Sequence, residues 1–237
     1  MTTNFNSTTQ SVTTDLDNMF ITDYWLVDRY VGGQFFACGY NGGSTIIPNG
    51  GALATGISSP IQLGSLTNWV QAEGSTGHGH AVKTDGTLWA WGANTAGQLG
   101  DGTIIPKSSP VQVGSLTNWK SVSVCVTNTV ALKTDGTMWS WGDNSAGQLS
   151  DGTIISKSSP IQIGSLTTWK YAGTGNANAV AIKTDGTLWA WGLNSSGELG
   201  LGDNISRSSP TQVGALTNWK QACAGNHAFF LITNTTI

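Results

Sequence analysis

The sequence has little charge: only 10% of its 237 residues are Asp, Glu, Lys or Arg, while 38% are hydrophobic. That balance argues against a solvated, disordered chain, which needs the opposite composition. No run of about 18 apolar residues occurs, so no helical membrane span is expected. The Met1–Gln10 start carries neither the basic nor the apolar region of a secretory leader. Cysteine is scarce: Cys38, Cys125 and Cys223 form no CxxC pair, and their odd number argues against a disulfide framework. Long helical patterns of Glu, Lys and Leu are missing. A basic excess is missing too, with 10 Lys and Arg against 13 Asp and Glu, so no nucleic-acid footprint is expected. What the chain does have is 32 Gly and 11 Trp. Glycine supplies turns, and tryptophan needs burial. The composition reads as β-rich and turn-rich.

An internal repeat organises most of the chain. Trp69, Trp119, Trp169 and Trp219 are spaced by 50 residues, as are Pro60, Pro110, Pro160 and Pro210, each ending a Ser-Ser-Pro tripeptide. Lys-Thr-Asp-Gly-Thr recurs at Lys83–Thr87, Lys133–Thr137 and Lys183–Thr187, followed by Trp-x-Trp-Gly at Trp89–Gly92, Trp139–Gly142 and Trp189–Gly192. Each unit reads as four short strands. In the second copy these are 118–122, 129–133, 137–141 and 160–163. Asp135-Gly136 between two of them predicts a type I′ hairpin, which needs φ > 0 at both residues. Trp139 and Trp141 are two apart and share one face of their strand. Four short strands per repeat of this length predict one blade of a β-propeller.

The unit resembles the regulator of chromosome condensation (RCC1) repeat. The resemblance lies in Lys183-Thr184-Asp185-Gly186-Thr187-Leu188-Trp189-Ala190-Trp191-Gly192, then Asn194, the Gly97-Gln98-Leu99-Gly100 run of an earlier copy, and Ser-Ser-Pro. It covers about residues 35–232. It implies an all-β propeller, usually of seven blades in that family, and implies much less about function, since the family includes exchange factors, inhibitors and structural proteins. The tryptophans Trp69, Trp89, Trp91, Trp119, Trp139, Trp141, Trp169, Trp189, Trp191 and Trp219 stand in repeat register. They are expected to pack the blades as wedges between sheets rather than to stack sugars.

The two ends of the repeat region are complementary. Residues 218–223 and 227–232 supply the first two strands of a unit, and Phe35-Phe36-Ala37-Cys38-Gly39 with Pro60–Leu63 supplies the last two. About four blades are therefore expected, with one composite blade built from both ends and closing a small ring over residues 31–237. An open arc closed by other chains, or capped in a larger assembly, is the alternative geometry.

Residues 1–30 stand outside the repeat and are expected to form an arm. They hold Asp15, Asp17, Asp23 and Asp28 against Arg29, which accounts for the whole net charge of -3. They also hold Leu16, Met19, Phe20, Ile21, Tyr24, Trp25 and Leu26, too many large apolar groups for a solvated tail. These seven are the candidate partner-binding residues. The spacing of Leu16, Met19, Phe20 and Tyr24 predicts one or two helical turns capped by Asp15.

Candidate chemistry falls where the copies differ. His78 stands where other copies have Asn128, Asn178 and Ala228, and His80 where they have Val130, Val180 and Phe230. With Glu73 they are the strongest metal candidates. They fall short of a zinc ligand set, so no metal, cofactor or catalytic residue is expected. The recurring Asp85, Asp135, Asp185, Asp101 and Asp151 read as turn formers, since the alternating acidic pattern of a calcium loop is missing. The expected function is a non-enzymatic structural or binding module. The segment Asp15–Trp25 is similar to the leaders of RCC1-repeat proteins encoded by aquatic bacteriophages. That similarity implies a virion component, a capsid decoration or a tail or fibre protein, held to other structural proteins by residues 1–30, with a homo-oligomer as a further possibility. The expected location is a virion or an extracellular surface. The competing expectation is a lectin-like or protein-binding propeller at a cell surface, using loop aromatics such as Tyr40 or Tyr171 for a glycan.

Overall fold

The computed structural model describes residues 33–34, 36–39, 57–62, 65–225 and 229–233, and every regular element among them is a strand. The first pair is β1 (Phe36–Gly39) and β2 (Ile57–Gln62). Three complete units follow. The first is β3 (Trp69–Gly74), β4 (His78–Lys83), β5 (Leu88–Gly92) and β6 (Lys107–Gln112). The second is β7 (Trp119–Val124), β8 (Asn128–Lys133), β9 (Met138–Gly142) and β10 (Lys157–Gln162). The third is β11 (Trp169–Thr174), β12 (Asn178–Lys183), β13 (Leu188–Gly192) and β14 (Arg207–Gln212). A last pair, β15 (Trp219–Ala224) and β16 (Phe229–Thr233), ends the series.

Each unit is a four-stranded antiparallel meander whose strands neighbour one another in sequence order. The first strands β3, β7, β11 and β15 touch one another in succession, so they are innermost and the fourth strands outermost. The half-units predicted at the two ends are present as two-stranded sheets, β1-β2 and β15-β16. They remain separate sheets: no hydrogen-bonded ladder joins β16 to β1 among the described residues.

Two local expectations change. The Asp-Gly hairpins are not type I′. Gly136 has φ 79°, but among the described residues only Ser150 departs from negative φ without being glycine, so Asp135 does not. Gly136 N–H donates to Lys133 O, and Lys133 N–H donates to Thr137 O, both at 3.0 Å. This is a type I turn closed by a glycine bulge. Asp135 prefers it because its Oδ1 accepts both the N–H of Thr137 at 2.9 Å and its hydroxyl at 2.7 Å. The fourth strand also starts earlier than expected. Pro160 stands inside β10 rather than at its start. Only an outermost strand tolerates a missing N–H there.

The core lies between sheets. The face of the first complete sheet with Val82, Leu88 and Ala90 meets the face of the second with Val122, Val124, Ala131 and Trp141. The same contact recurs one unit on, where Val130, Leu132 and Met138 meet Ala179, Ala181 and Trp191. Each buried tryptophan removes on the order of 4 kcal/mol worth of apolar surface from water. In the second and third units, the indole of the second tryptophan of the Trp-x-Trp pair also finds a partner across the seam. Trp141 Nε1 donates to Gln98 O and Trp191 Nε1 to Gln148 O, each at 2.9 Å.

Candidate functional site

The repeated motif builds a structural relay. In the second unit, the Thr137 hydroxyl donates to Asp135 and accepts from Trp139 Nε1 at 2.9 Å. The Lys133 ammonium then sits 3.5 Å from the Trp139 ring centre and 4.9 Å from that of Trp119. The other two units repeat this with Lys83 between Trp69 and Trp89 and Lys183 between Trp169 and Trp189. Burial lowers the pKa of Lys83 and Lys133. The threonine hydrogen bonds lower those of Asp85, Asp135 and Asp185. Trp69, Trp91, Trp119, Trp141, Trp169 and Trp191 are buried, whereas Trp89, Trp139, Trp189 and Trp219 are half-buried. The sequence shows the recurrence of these residues but not that lysine fills a cage of two indoles, a contact that needs the β7–β8–β9 geometry.

A second recurring device was missed in the sequence. Asn144 is wholly buried; its Nδ2 reaches Asp151 Oδ1 at 3.0 Å and Thr153 O at 3.1 Å, while its Oδ1 accepts from Leu149 N–H at 2.9 Å. Asn94 does the same with Asp101 and Thr103, whereas Asn194, whose copy has Leu201 in place of the aspartate, bonds to Asp203 and accepts from Leu199 N–H. They hold the long loop between third and fourth strands, and their signal was their invariance across copies.

Where the copies differ, the differences converge on the inner strands. Glu73, Ser123, Gly173 and Cys223 occupy one register position, opposite His80, Val130, Val180 and Phe230. The Glu73 carboxylate accepts from Val124 N–H at 3.1 Å, and Gln71 exchanges bonds of 3.0 Å with both backbone groups of Val122. Burial pushes Glu73 up to about 7. Burial raises the pKa of Cys125, Tyr171 and Cys223, and the Glu73 charge raises them further. Tyr171 is not the loop aromatic expected of it. It lies within β11 and packs on the Val180, Ile182 and Leu188 cluster. Its hydroxyl fills the space over Gly173, 2.9 Å from where a Cβ would stand.

His78 and His80 are wholly buried and meet edge to face, with ring centres 5.5 Å apart. His80 also packs on Trp141 at 5.7 Å. None of their four ring nitrogens makes a hydrogen bond of good geometry. Burial lowers His78 to about 4 and holds His80 well below its usual value. Among the described residues, no three His, Cys, Asp or Glu side chains gather into a ligand set. The arm residues Leu16, Met19, Phe20, Ile21, Tyr24, Trp25 and Leu26, and also Tyr40, lie outside the described residues.

The two ends of the strands present different surfaces. At one end stand the loops between third and fourth strands, with Ile104, Ile105, Ile154, Ile155 and Ile205 exposed. Their charges are paired locally: Lys107 with Asp101 at 3.2 Å, Lys157 with Asp151 at 3.4 Å and Arg207 with Asp203 at 2.6 Å. At the other end, the Asp-Gly turns bond to the connections that enter the next unit, as in Trp119 N–H to Gly86 O at 3.0 Å. This end exposes Leu66, Leu116, Leu166 and Leu216, with Lys120, Lys170 and Lys220 beside them.

Comparison with known proteins agrees with this architecture. The family model described as Regulator of chromosome condensation (RCC1) repeat matches residues 85–132, 135–182 and 185–232, and a second model of that description matches residues 119–148. No curated protein matches the chain. Among solved structures, human WBSCR16 is 20% identical with a TM-score of 0.74, over 89% of this chain and 56% of that one. Yeast RCC1 (Prp20), solved bound to Kap60, is 19% identical with a TM-score of 0.72, over 86% of this chain and 51% of that one. Prp20p of Saccharomyces cerevisiae, described with its binding to Gsp1p and histones, is 18% identical with a TM-score of 0.64, over 75% and 46%. The chain thus spans about half the length of these structures.

Proposed function

The chain belongs to the regulator of chromosome condensation (RCC1) repeat family, and from that premise we propose that it is a non-enzymatic, protein-binding module. The observation that carries the reading is the repetition of its surface. Leu116, Leu166 and Leu216, each with a lysine four residues on, offer the same exposed pair three times around the axis. A small substrate needs one convergent site, whereas a repeated surface suits an extended protein ligand. The protein partners named for yeast Prp20, namely Gsp1p, histones and Kap60, are consistent with such a use of the fold.

The finer proposal is a component of a bacteriophage virion, a capsid decoration or a tail or fibre protein, attached to its neighbours through residues 1–30. It is supported by the similarity of Asp15–Trp25 to phage-encoded leaders and by the concentration of acidic and apolar residues there. Deleting residues 1–30 tests it. Loss of attachment to particles, with the tryptophan fluorescence of the folded sheets retained, is the expected result; retained attachment would overturn it.

A further inference from the structure

The two half-units of the series are halves of one blade. Phe36, Ala37 and Gly39 of β1 meet Gln62, Ile61 and Ile57 of β2 in the register by which Trp89, Ala90 and Gly92 of β5 meet Gln112, Val111 and Lys107 of β6, irregularity included. Cys223 and Ala224 of β15 meet Phe230 and Phe229 of β16 as Glu73 and Gly74 of β3 meet His80 and Gly79 of β4. Among the described residues, β1 is therefore a third strand with no second beside it, and β16 a second strand with no third. Their open edges are complementary. In the first unit Ala93 N–H donates to Gly77 O at 2.6 Å, whereas Leu88 O accepts from Val113 N–H at 2.8 Å, so odd-numbered residues of β5 face β4 and even-numbered ones face β6. By the same alternation the backbones of Phe36 and Cys38 face the open edge of β1, and those of Phe229 and Leu231 face the open edge of β16. Pairing Phe36 with Leu231 and Cys38 with Phe229 continues both registers, each pair exchanging two hydrogen bonds.

The two edges stand at opposite ends of the series. Gly33 bridges to Trp69 at the register position where Gly86 O accepts from Trp119 N–H, so the first half-unit precedes the first complete unit as each unit precedes the next. At the far end Trp219 N–H donates to Gly186 O at 3.2 Å, so the last half-unit follows the third unit in the same way. The curvature of the series is that of longer propellers. One superposition on human WBSCR16 fits 89% of this chain to 56% of that one with a TM-score of 0.74, and one on yeast RCC1 fits 86% to 51% with 0.72. Four blades closed on themselves would turn about twice as sharply from sheet to sheet as four blades that fill half of a ring.

We propose that two copies of this chain join head to tail, β16 of each pairing with β1 of the other, and close one propeller about a two-fold axis. Three complete sheets from each copy and two composite sheets make eight blades, within the range of about four to eight typical of propellers. The joint covers both open strand edges, which otherwise invite unlimited association, and the two-fold arrangement closes with no edge left over. The inference is independent of the virion reading. It adds that a protein partner recognising the repeated leucine and lysine surface meets that surface twice on one assembly, and so gains avidity.

Native mass spectrometry of the full chain tests this. A species of twice the 24.7 kDa chain mass is expected; a monomer, or a series of larger species, would overturn the proposal. Cys38→Pro removes the N–H that faces the joint and leaves the ladder between β1 and β2 in place, a substitution that an edge strand tolerates. It is expected to halve the mass while the tryptophan fluorescence of the folded sheets is retained; a folded variant that stays dimeric would overturn β1 as the joint. Independently, Ala37→Cys with Phe230→Cys, made after the three native cysteines are changed to serine, sets two thiols at directly opposed positions of the joint, where Cα atoms about 4.5 Å apart lie within disulfide range. Oxidation is expected to give a covalent dimer on denaturing gels that reductant returns to the monomer. A disulfide within one chain would mean that the chain closes on itself, and would overturn the proposal. The wild-type mass stands as a test without either variant, and particle attachment is measured separately.

Discussion

Glu73, His78 and His80 are buried ionisable groups with opposite effects on stability. Glu73 titrates near 4.5 when unfolded and about 7 when folded, so the folded state binds more protons in that window. Stability is therefore lost as pH rises from 4.5 through 7. His78 moves from 6.5 to about 4, so stability is lost as pH falls through that interval, and His80 acts in the same sense. Glu73→Gln is expected to stabilise the protein at pH 8 by about 1–3 kcal/mol and to flatten the alkaline limb. His80→Val, which restores the residue type of Val130 and Val180, is expected to move the acid unfolding midpoint to lower pH. Denaturant titrations at several pH values check both. Ser150 is a second residue-scale feature. It holds φ 62° where Gly100 and Gly200 stand, and its buried hydroxyl has no hydrogen-bond partner. Ser150→Gly is expected to stabilise by about 1 kcal/mol, read as a raised thermal midpoint.

At the scale of elements, the seam between sheets depends on one tryptophan per unit. Trp141 closes β9 against the preceding unit, donating to Gln98 O. That carbonyl also accepts from the Thr129 hydroxyl at 3.0 Å, so it is not orphaned when the indole is lost. Trp141→Phe is therefore expected to cost mainly volume, about 1–2 kcal/mol, and Trp141→Ala about 3–5 kcal/mol through the cavity it leaves. Equilibrium unfolding of the two variants checks the order. Gly100 belongs to the same seam: a Cβ there would stand 2.7 Å from Trp141 Nε1. Glycine at that position thus serves the neighbouring blade as well as its own turn.

At the scale of the molecule, stability runs along a series of sheet-to-sheet contacts rather than from one central core. The second strands β8 and β12 are buried at every position, whereas the outermost β6, β10 and β14 are half exposed. Amide exchange is expected to be slowest in β8 and β12 and faster by orders of magnitude in β10 and β14. Hydrogen-exchange mass spectrometry on peptides spanning each unit checks this. Uniform protection across a unit would contradict the layered reading.

The repeat alone determined the blade. A 50-residue period, Trp-x-Trp pairs and Asp-Gly turns are local signals, and local signals suffice for strands, their order and the buried face. The half-units at both ends were legible for the same reason. Tertiary structure decided what depends on residues distant in sequence. Only the packing of β3 on β7 shows that Glu73 answers to Val124, and only the packing of β4 against β9 places His80 on Trp141. Tyr171 looks like a binding aromatic in one dimension and in three packs half-buried against the core, because Gly173 leaves room for its hydroxyl. The hairpin type also escaped the sequence, since a threonine two residues after the aspartate captures the carboxylate and favours a different turn. The scarcity of charge, finally, takes its meaning from position. The arm's acidic excess is plain in the sequence, but that Lys83, Lys133 and Lys183 each lie over two indoles emerges only from the fold.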